Sequence, residues 1–146
     1  MIDRREKAVE LKHNGYNCCQ AVLCAFADEL PLAEDNLKRI GAAYGVGMGC
    51  MEATCGALCA AEMILGMKKY EGSTTSGGRR LWTDRSGAKR PILRDAAALH
   101  RAFVEKCGAS ICKELKGRDT GVVLCECDDC VRNAVSILEA DKENQI

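Results

Sequence analysis

The chain is short of aromatic residues, of proline and of net charge. One Trp, three Tyr and two Phe make up 4% of its 146 residues. The core must therefore be built from Leu, Val, Ile, Met, Ala and Cys. Only two prolines occur, and no run alternates apolar and polar residues as a half-buried strand does. Both absences favour helices. Lys plus Arg equals Asp plus Glu at 21 each, for a formal net charge of zero. That balance argues against a general nucleic-acid binder or a membrane-surface binder. The opening MIDRREKAVELKHNG is charged and amphipathic and has no apolar stretch of the kind that heads a secretory leader. A cytoplasmic setting is therefore expected. The length suffices for one compact domain with a core of its own, expected over residues 1–146.

What the chain has in excess is cysteine. Eleven are present, an odd number, so they cannot all pair within one chain. A cytoplasmic chain keeps its thiols reduced, which points to metal, cluster or redox use rather than a disulfide scaffold. Free cysteine also serves as a small buried hydrophobe, and about half of the eleven are expected in that role.

The local pattern predicts an all-α domain, a bundle of five or six helices with one long loop. A first helix runs from Asp3 to Asn14, with Asp3 and Glu6 resembling a capping box and Gly15 as its stop. Asn17 caps a second helix from Cys18 to Leu30. Its apolar stripe is Cys19, Val22, Leu23, Phe26 and Leu30. A third, Glu34 to Ala43, leads into the glycine-rich YGVGMG turn. A fourth, Glu52 to Lys69, is apolar almost all round and so should be central. It is too short and too interrupted to span a membrane. Residues 71–91 have the composition of a surface loop rich in Gly and Arg. Its bases Arg79, Arg80, Arg85, Lys89 and Arg90 flank Trp82, and a solvated loop is preferred there to a single-strand nucleic-acid site. Further helices are expected over Ile92 to Lys106, in SICKELKG, and over Asp129 to Asp141.

The thiols divide by position. Cys55, Cys59 and Glu62 form one helical stripe at i, i+4 and i+7. The pair Cys55 and Cys59 can share a metal but is poorly aimed for a mutual disulfide. Cys55 lies near a helix amino end, where thiolate is favoured. Cys18, Cys112 and Cys130 share that placement at three other helix starts. Exposed N–H groups at such positions stabilise thiolate or inorganic sulfide. Cys125, Cys127 and Cys130 form a C-x-C-x-x-C run that suggests chelation. It matches neither the ferredoxin spacing nor a zinc ribbon, and no covalent haem motif is present. Soft thiolates suit iron–sulfur, zinc or copper(I), and spacing does not choose among them. Cys50 is close enough to join such a cluster. Cys19 reads as core, and Cys24 and Cys107, without partners by spacing, read as structural. His13 and His100 belong to no ligand motif. His13 sits where an imidazolium suits a helix carboxyl end.

GYNCCQAVL, TCGALCA, GASICKELKG and CDDCVRNAVSILE occur in the order that characterises the C_GCAxxG_C_C family of small bacterial and archaeal redox-active proteins. The chain resembles that family from about Gly15 to Glu139. By this resemblance the four hallmark cysteines are Cys18, Cys55, Cys112 and Cys130, and the motif's Cys-Gly-Ala falls on Cys55, Gly56 and Ala57. Gly56 and Ala57 are then expected beside a cofactor. The chain departs from the pattern at Ala60, where the motif closes on glycine, at Cys19, and in the additional Cys125 and Cys127. The family is related to split-Soret-type cytochromes, and only the cysteine part of that kinship carries over here.

The expectation is a redox-active protein. Cys18, Cys55, Cys112 and Cys130 would converge on an iron–sulfur cluster or another thiolate-bound metal, with Cys50, Cys59, Cys125 and Cys127 as secondary ligands. Its role would be electron transfer to an unspecified redox partner, or metal and sulfur handling. Two other readings stand beside it. One is a metal-free thiol–disulfide oxidoreductase with a nucleophile at Cys55 or Cys130. The other is a structural zinc domain that loses helicity on chelation. The small apolar helices leave room for a homodimer.

Overall fold

The computed structural model describes the backbone of residues 3–76, 79–84 and 91–143, and the side chains of residues 3–70 and 92–140. Seven α-helices occur among the described residues, so the expected all-α class holds. They are α1 (Arg4–His13), α2 (Cys18–Ala25), α3 (Glu34–Gly41), α4 (Gly56–Lys69), α5 (Pro91–Cys107), α6 (Cys112–Lys116) and α7 (Cys127–Glu143).

Helix α4 is central. It packs against α2, α5 and α7, while α1 lies across α2 and α7 and α3 lies on α2. Its Ala57, Leu58, Ala60, Ala61 and Ile64 are fully buried. Small residues there let neighbouring helices approach closely, which suits a core with little aromatic bulk. The expected stripe of α2 is buried at Cys19, Val22, Leu23 and Phe26, and Leu30 is half-buried. Phe103 of α5 and Val131, Ala134 and Val135 of α7 complete the centre.

Helix boundaries moved for identifiable reasons. The Asp3 side chain accepts from the Arg5 N–H, whereas Glu6 turns away from the cap to accept from Arg132 Nε at 2.9 Å. Helix α2 stops at Ala25, not Leu30. Arg4 Nη1 takes the Ala25 carbonyl at 2.6 Å, and the chain tightens into a 3₁₀ turn over Ala27–Glu29. Helix α4 starts at Gly56, not Glu52, because the preceding segment pairs with the approach to α6. Cys55 N–H donates to Ser110 O at 2.8 Å, Cys112 N–H to Ala53 O at 3.0 Å and Lys113 N–H to Met51 O at 2.8 Å. The YGVGMG turn is left-handed at Val46, Gly47, Met48 and Gly49.

One expectation is corrected. Residues 71–91 are not wholly a loop, because β1 (Tyr70–Ser76) and β2 (Arg79–Asp84) pair antiparallel with an irregularity between Tyr70 and Gly72. The Thr-Thr and Leu-Trp-Thr steps carry strand propensity that the surrounding Gly and Ser obscure. The basic side chains of this segment and of Trp82 lie outside the described residues. No helix among those described is long and apolar enough to cross a membrane.

Candidate functional site

The sequence places thiols at helix starts, and the fold brings those starts to one cavity. Cys18 is the first residue of α2, behind a capping box in which Asn17 Oδ1 accepts from Gln20 N–H and Gln20 Oε1 accepts from Asn17 N–H. Asn17 Nδ2 also donates to the Gly41 and Ala42 carbonyls, fixing this end of α2 against α3. Cys55 is the N-cap of α4 and Cys112 the first residue of α6. The backbone bonds between segments 51–55 and 110–113 hold these two starts side by side. Cys130 lies in the first turn of α7. Upstream of α7, Leu124 N–H and Cys125 N–H both donate to Leu115 O, which seats Cys125 beside α6.

All four hallmark cysteines, with Cys125 and Cys127, line a cavity of about 250 Å³. Lys12, Lys116, Asn17, Val46, Gly56 and Leu115 share its wall. Two glycines permit the close packing. A Cβ on Gly56 would meet Cys18 Sγ at 2.6 Å and Tyr44 O at 2.7 Å, and one on Gly47 would meet Cys112 Cβ at 2.5 Å. Gly56 is therefore at the cavity, where the sulfur of Cys18 rests on it. Ala57 is fully buried and contributes its backbone N–H.

That N–H and the one of Leu58 face the Cys55 sulfur without closing a formal cap bond. Cys55 is held down at about 7, first by the Cys130 thiol, against burial, and then by these N–H groups. Cys107 is lowered to about 6, first by Cys130 and, against burial, also by Asn133 and Cys125. Cys130 is correspondingly raised, because donating its S–H to Cys107 or Cys55 favours its keeping the proton. It has one S–H and can donate to one neighbour at a time, so the two lowered thiols are alternatives rather than simultaneous thiolates. Burial raises Cys18 and Cys112, and raises Cys125 to about 11. Burial alone would lower the Lys116 ammonium, but the facing Cys127, Cys112 and Cys18 raise it.

Two expected secondary ligands stand apart. Cys50 is exposed, with its thiol towards Gly47 O at 3.6 Å. Cys59 is buried, directed to Thr54 O at 3.8 Å, and burial pushes it up to about 11. Glu62, on the same stripe, lies 3.7 Å from His100 Nδ1 instead of at the cavity. His13 Nε2 and Lys12 Nζ meet the Asp128 carboxylate at 2.8 and 3.0 Å. Cys19 and Cys24 are core residues, as expected.

Cys107, read from the sequence as structural, is buried in the core beside two other thiols. The sulfurs of Cys107, Cys125 and Cys130 lie within 4.8 Å of one another, the one such set of three or more ligand groups among the described residues. Asn133 Nδ2 reaches Cys107 Sγ at 3.3 Å and Cys125 Sγ at 3.8 Å. Cys107 arrives on α5 from a distant part of the chain, so no local spacing announced it. Asn133 stands three residues after Cys130 on one helix face, a signal that the cysteine pattern alone did not use.

No curated protein and no solved structure matches this chain. A family model described as "Putative redox-active protein (C_GCAxxG_C_C)" matches residues 16–140, and the chain belongs to that family.

Proposed function

We propose that the cavity is a redox centre in which Cys18, Cys55, Cys112 and Cys130 hold an iron–sulfur cluster for electron transfer, or for the handling of metal and sulfur. The observation that carries this is the meeting of four helix-start thiols at one cavity of about 250 Å³. Liquid water occupies roughly 30 Å³ per molecule, so the space suits a group of several atoms better than one ion. No three of the four hallmark thiols are among the groups gathered within 4.8 Å, which also favours a larger group. The donor set is soft and suits iron–sulfur chemistry.

Such a cluster supplies one-electron transfer. The chain's own residues supply the surroundings. The Ala57 and Leu58 N–H groups face the Cys55 sulfur at its helix start, which favours ligation as thiolate. Lys116 sets positive charge against the negative thiolates. Val46 and Leu115 give part of the wall an apolar surface. A reducing compartment and a separate redox protein as electron partner follow from this reading.

Anaerobic purification should give a brown protein containing iron and acid-labile sulfide, and C18S or C112S should lose both. A colourless protein without iron after anaerobic reconstitution overturns the proposal.

The contact of Cys130 with Cys55 and Cys107 favours a second reading, a metal-free thiol–disulfide oxidoreductase. The Cys55 thiolate would attack a substrate disulfide, forming a mixed disulfide and releasing one substrate thiol. Cys130 would then displace the second substrate thiol, leaving a Cys55–Cys130 disulfide. The substrate gains two electrons and the protein loses two. Mass spectrometry after mild oxidation tests it: one reversible pair at Cys55 and Cys130 supports it, and no pair there excludes it.

A further inference from the structure

At the cavity wall lies a second set of sulfurs, of which the cluster reading uses only Cys130. Cys107, Cys125 and Cys130 are mutually within 4.8 Å. Cys107 and Cys130 are almost fully buried and Cys125 is half-buried at the cavity wall. A tetrahedral or trigonal thiolate site with metal–sulfur bonds of about 2.3 Å needs sulfurs roughly 4 Å apart, so small side-chain movements would close this trio on one ion.

The amide of Asn133 gives the second, independent pointer. It aims its N–H groups at two of the three sulfurs, Cys107 and Cys125. Neutral thiols have little need of donors, and three thiols in contact can largely serve one another. Donors converging on two sulfurs suit sulfurs that carry negative charge. An outer residue that hydrogen-bonds to metal-bound ligands has this arrangement.

We propose that Cys107, Cys125 and Cys130, supported by Asn133, form a second thiolate site for a single soft ion of the Cu(I) type, and that it shares Cys130 with the cavity. Three sulfurs with no fourth protein ligand gathered beside them among the described residues favour Cu(I) over structural zinc, which takes four ligands almost without exception. Because Cys130 belongs to both sets, filling the inner site alters the cavity site. Asn133 acts as a positioning residue, not as a ligand.

The test separates this site from the cluster. A C18S/C112S chain, deprived of two hallmark thiols, is reduced anaerobically and titrated with Cu(I) against a chromophoric Cu(I) chelator. It should retain one equivalent with three sulfur neighbours by X-ray absorption. Adding C107S or C125S should lower the affinity at least as much as the loss of an outer partner, about 10–100-fold. Adding N133A should lower it by about 10–100-fold with unchanged helicity. Failure of the C18S/C112S chain to compete with the chelator, or full affinity after C107S, overturns the proposal. Should C18S/C112S lose its helices, C107S and C18S are compared singly in the otherwise unaltered chain. C107S should then lose one equivalent of Cu(I) that C18S keeps, and the reverse result rejects the site. Absence of iron from the wild-type protein would count against the cluster and leave the Cu(I) result unaffected.

Discussion

At the scale of single residues, the site is a problem of placing sulfur against backbone. Cys55 does this most directly. As the N-cap of α4 it faces the Ala57 and Leu58 N–H groups and receives from Cys130. With Cys130 donating to Cys55, its thiolate predominates above about pH 7 and is lost below it. Alkylation of Cys55 by iodoacetamide in the metal-free protein should therefore have a midpoint below that of an ordinary thiol. C130A should move that midpoint up towards the ordinary thiol value, read by peptide mass spectrometry at a series of pH values. An unmoved midpoint would refute the donor role of Cys130. Gly56 makes an equally sharp prediction. G56A drives a Cβ to within 2.6 Å of Cys18 Sγ and should cost about 1–3 kcal/mol, measured by urea unfolding, together with loss of iron loading. The hallmark thiols were legible in the sequence because a helix start is a local feature. Cys107 was not, because its partners reach it only through packing.

At the scale of elements, boundaries are decided by competition for backbone groups. The sequence makes α2 long, since its apolar stripe runs on to Leu30. Arg4 ends it by taking the Ala25 carbonyl, while pairing with Asp28 at 2.7 Å and lying over the Phe26 ring at 4.9 Å. R4A should destabilise the protein by about 1–2 kcal/mol, through one buried-end hydrogen bond and the ring contact. The Arg4 guanidinium holds Asp28 down to about 2, from an ordinary 3.8. A depressed carboxylate stabilises the fold above its unfolded value and loses that contribution as pH falls through its folded one. Wild-type unfolding midpoints in urea should accordingly drop between about pH 4 and pH 2. D28N should show a shallower drop over that interval, and an equal slope would remove Asp28 from the account. The start of α4 shows the same competition. Its apolar run suggests an earlier beginning, but the exchange of bonds between segments 51–55 and 110–113 keeps the chain out of the helix up to Cys55. That exchange is non-local and left no trace in either segment's composition. The hairpin was hidden for a different reason: its Thr, Leu and Trp residues are embedded in Gly and Ser.

At the scale of the whole molecule, the class was legible and the meeting point only in outline. Low aromatic content, scarce proline and helical spacing were enough for an all-α fold. The central position of α4 followed from its lack of a polar face. The apolar core is extensive and joins α1, α2, α4, α5 and α7 without the cavity residues carrying it alone. Removing a bound metal should therefore leave far-UV helicity largely intact while lowering the thermal midpoint, since a group bound only by the folded state adds stability by mass action. Collapse of helicity on chelation would favour the structural zinc reading instead.

The scattering of the hallmark cysteines over four helix starts bears on the order of events during biogenesis. In a zinc finger, ligands a few residues apart can capture metal while the chain is still unfolded, and metal drives folding. Here the four hallmark thiols come from the starts of α2, α4, α6 and α7, and Cys55 reaches Cys112 only after segments 51–55 and 110–113 have paired. The cavity exists once the polypeptide has already found its shape, so the proposed cluster would arrive as a late guest in a finished room. A delivery system for this protein would then have to recognise a folded surface around the cavity mouth, not a nascent chain.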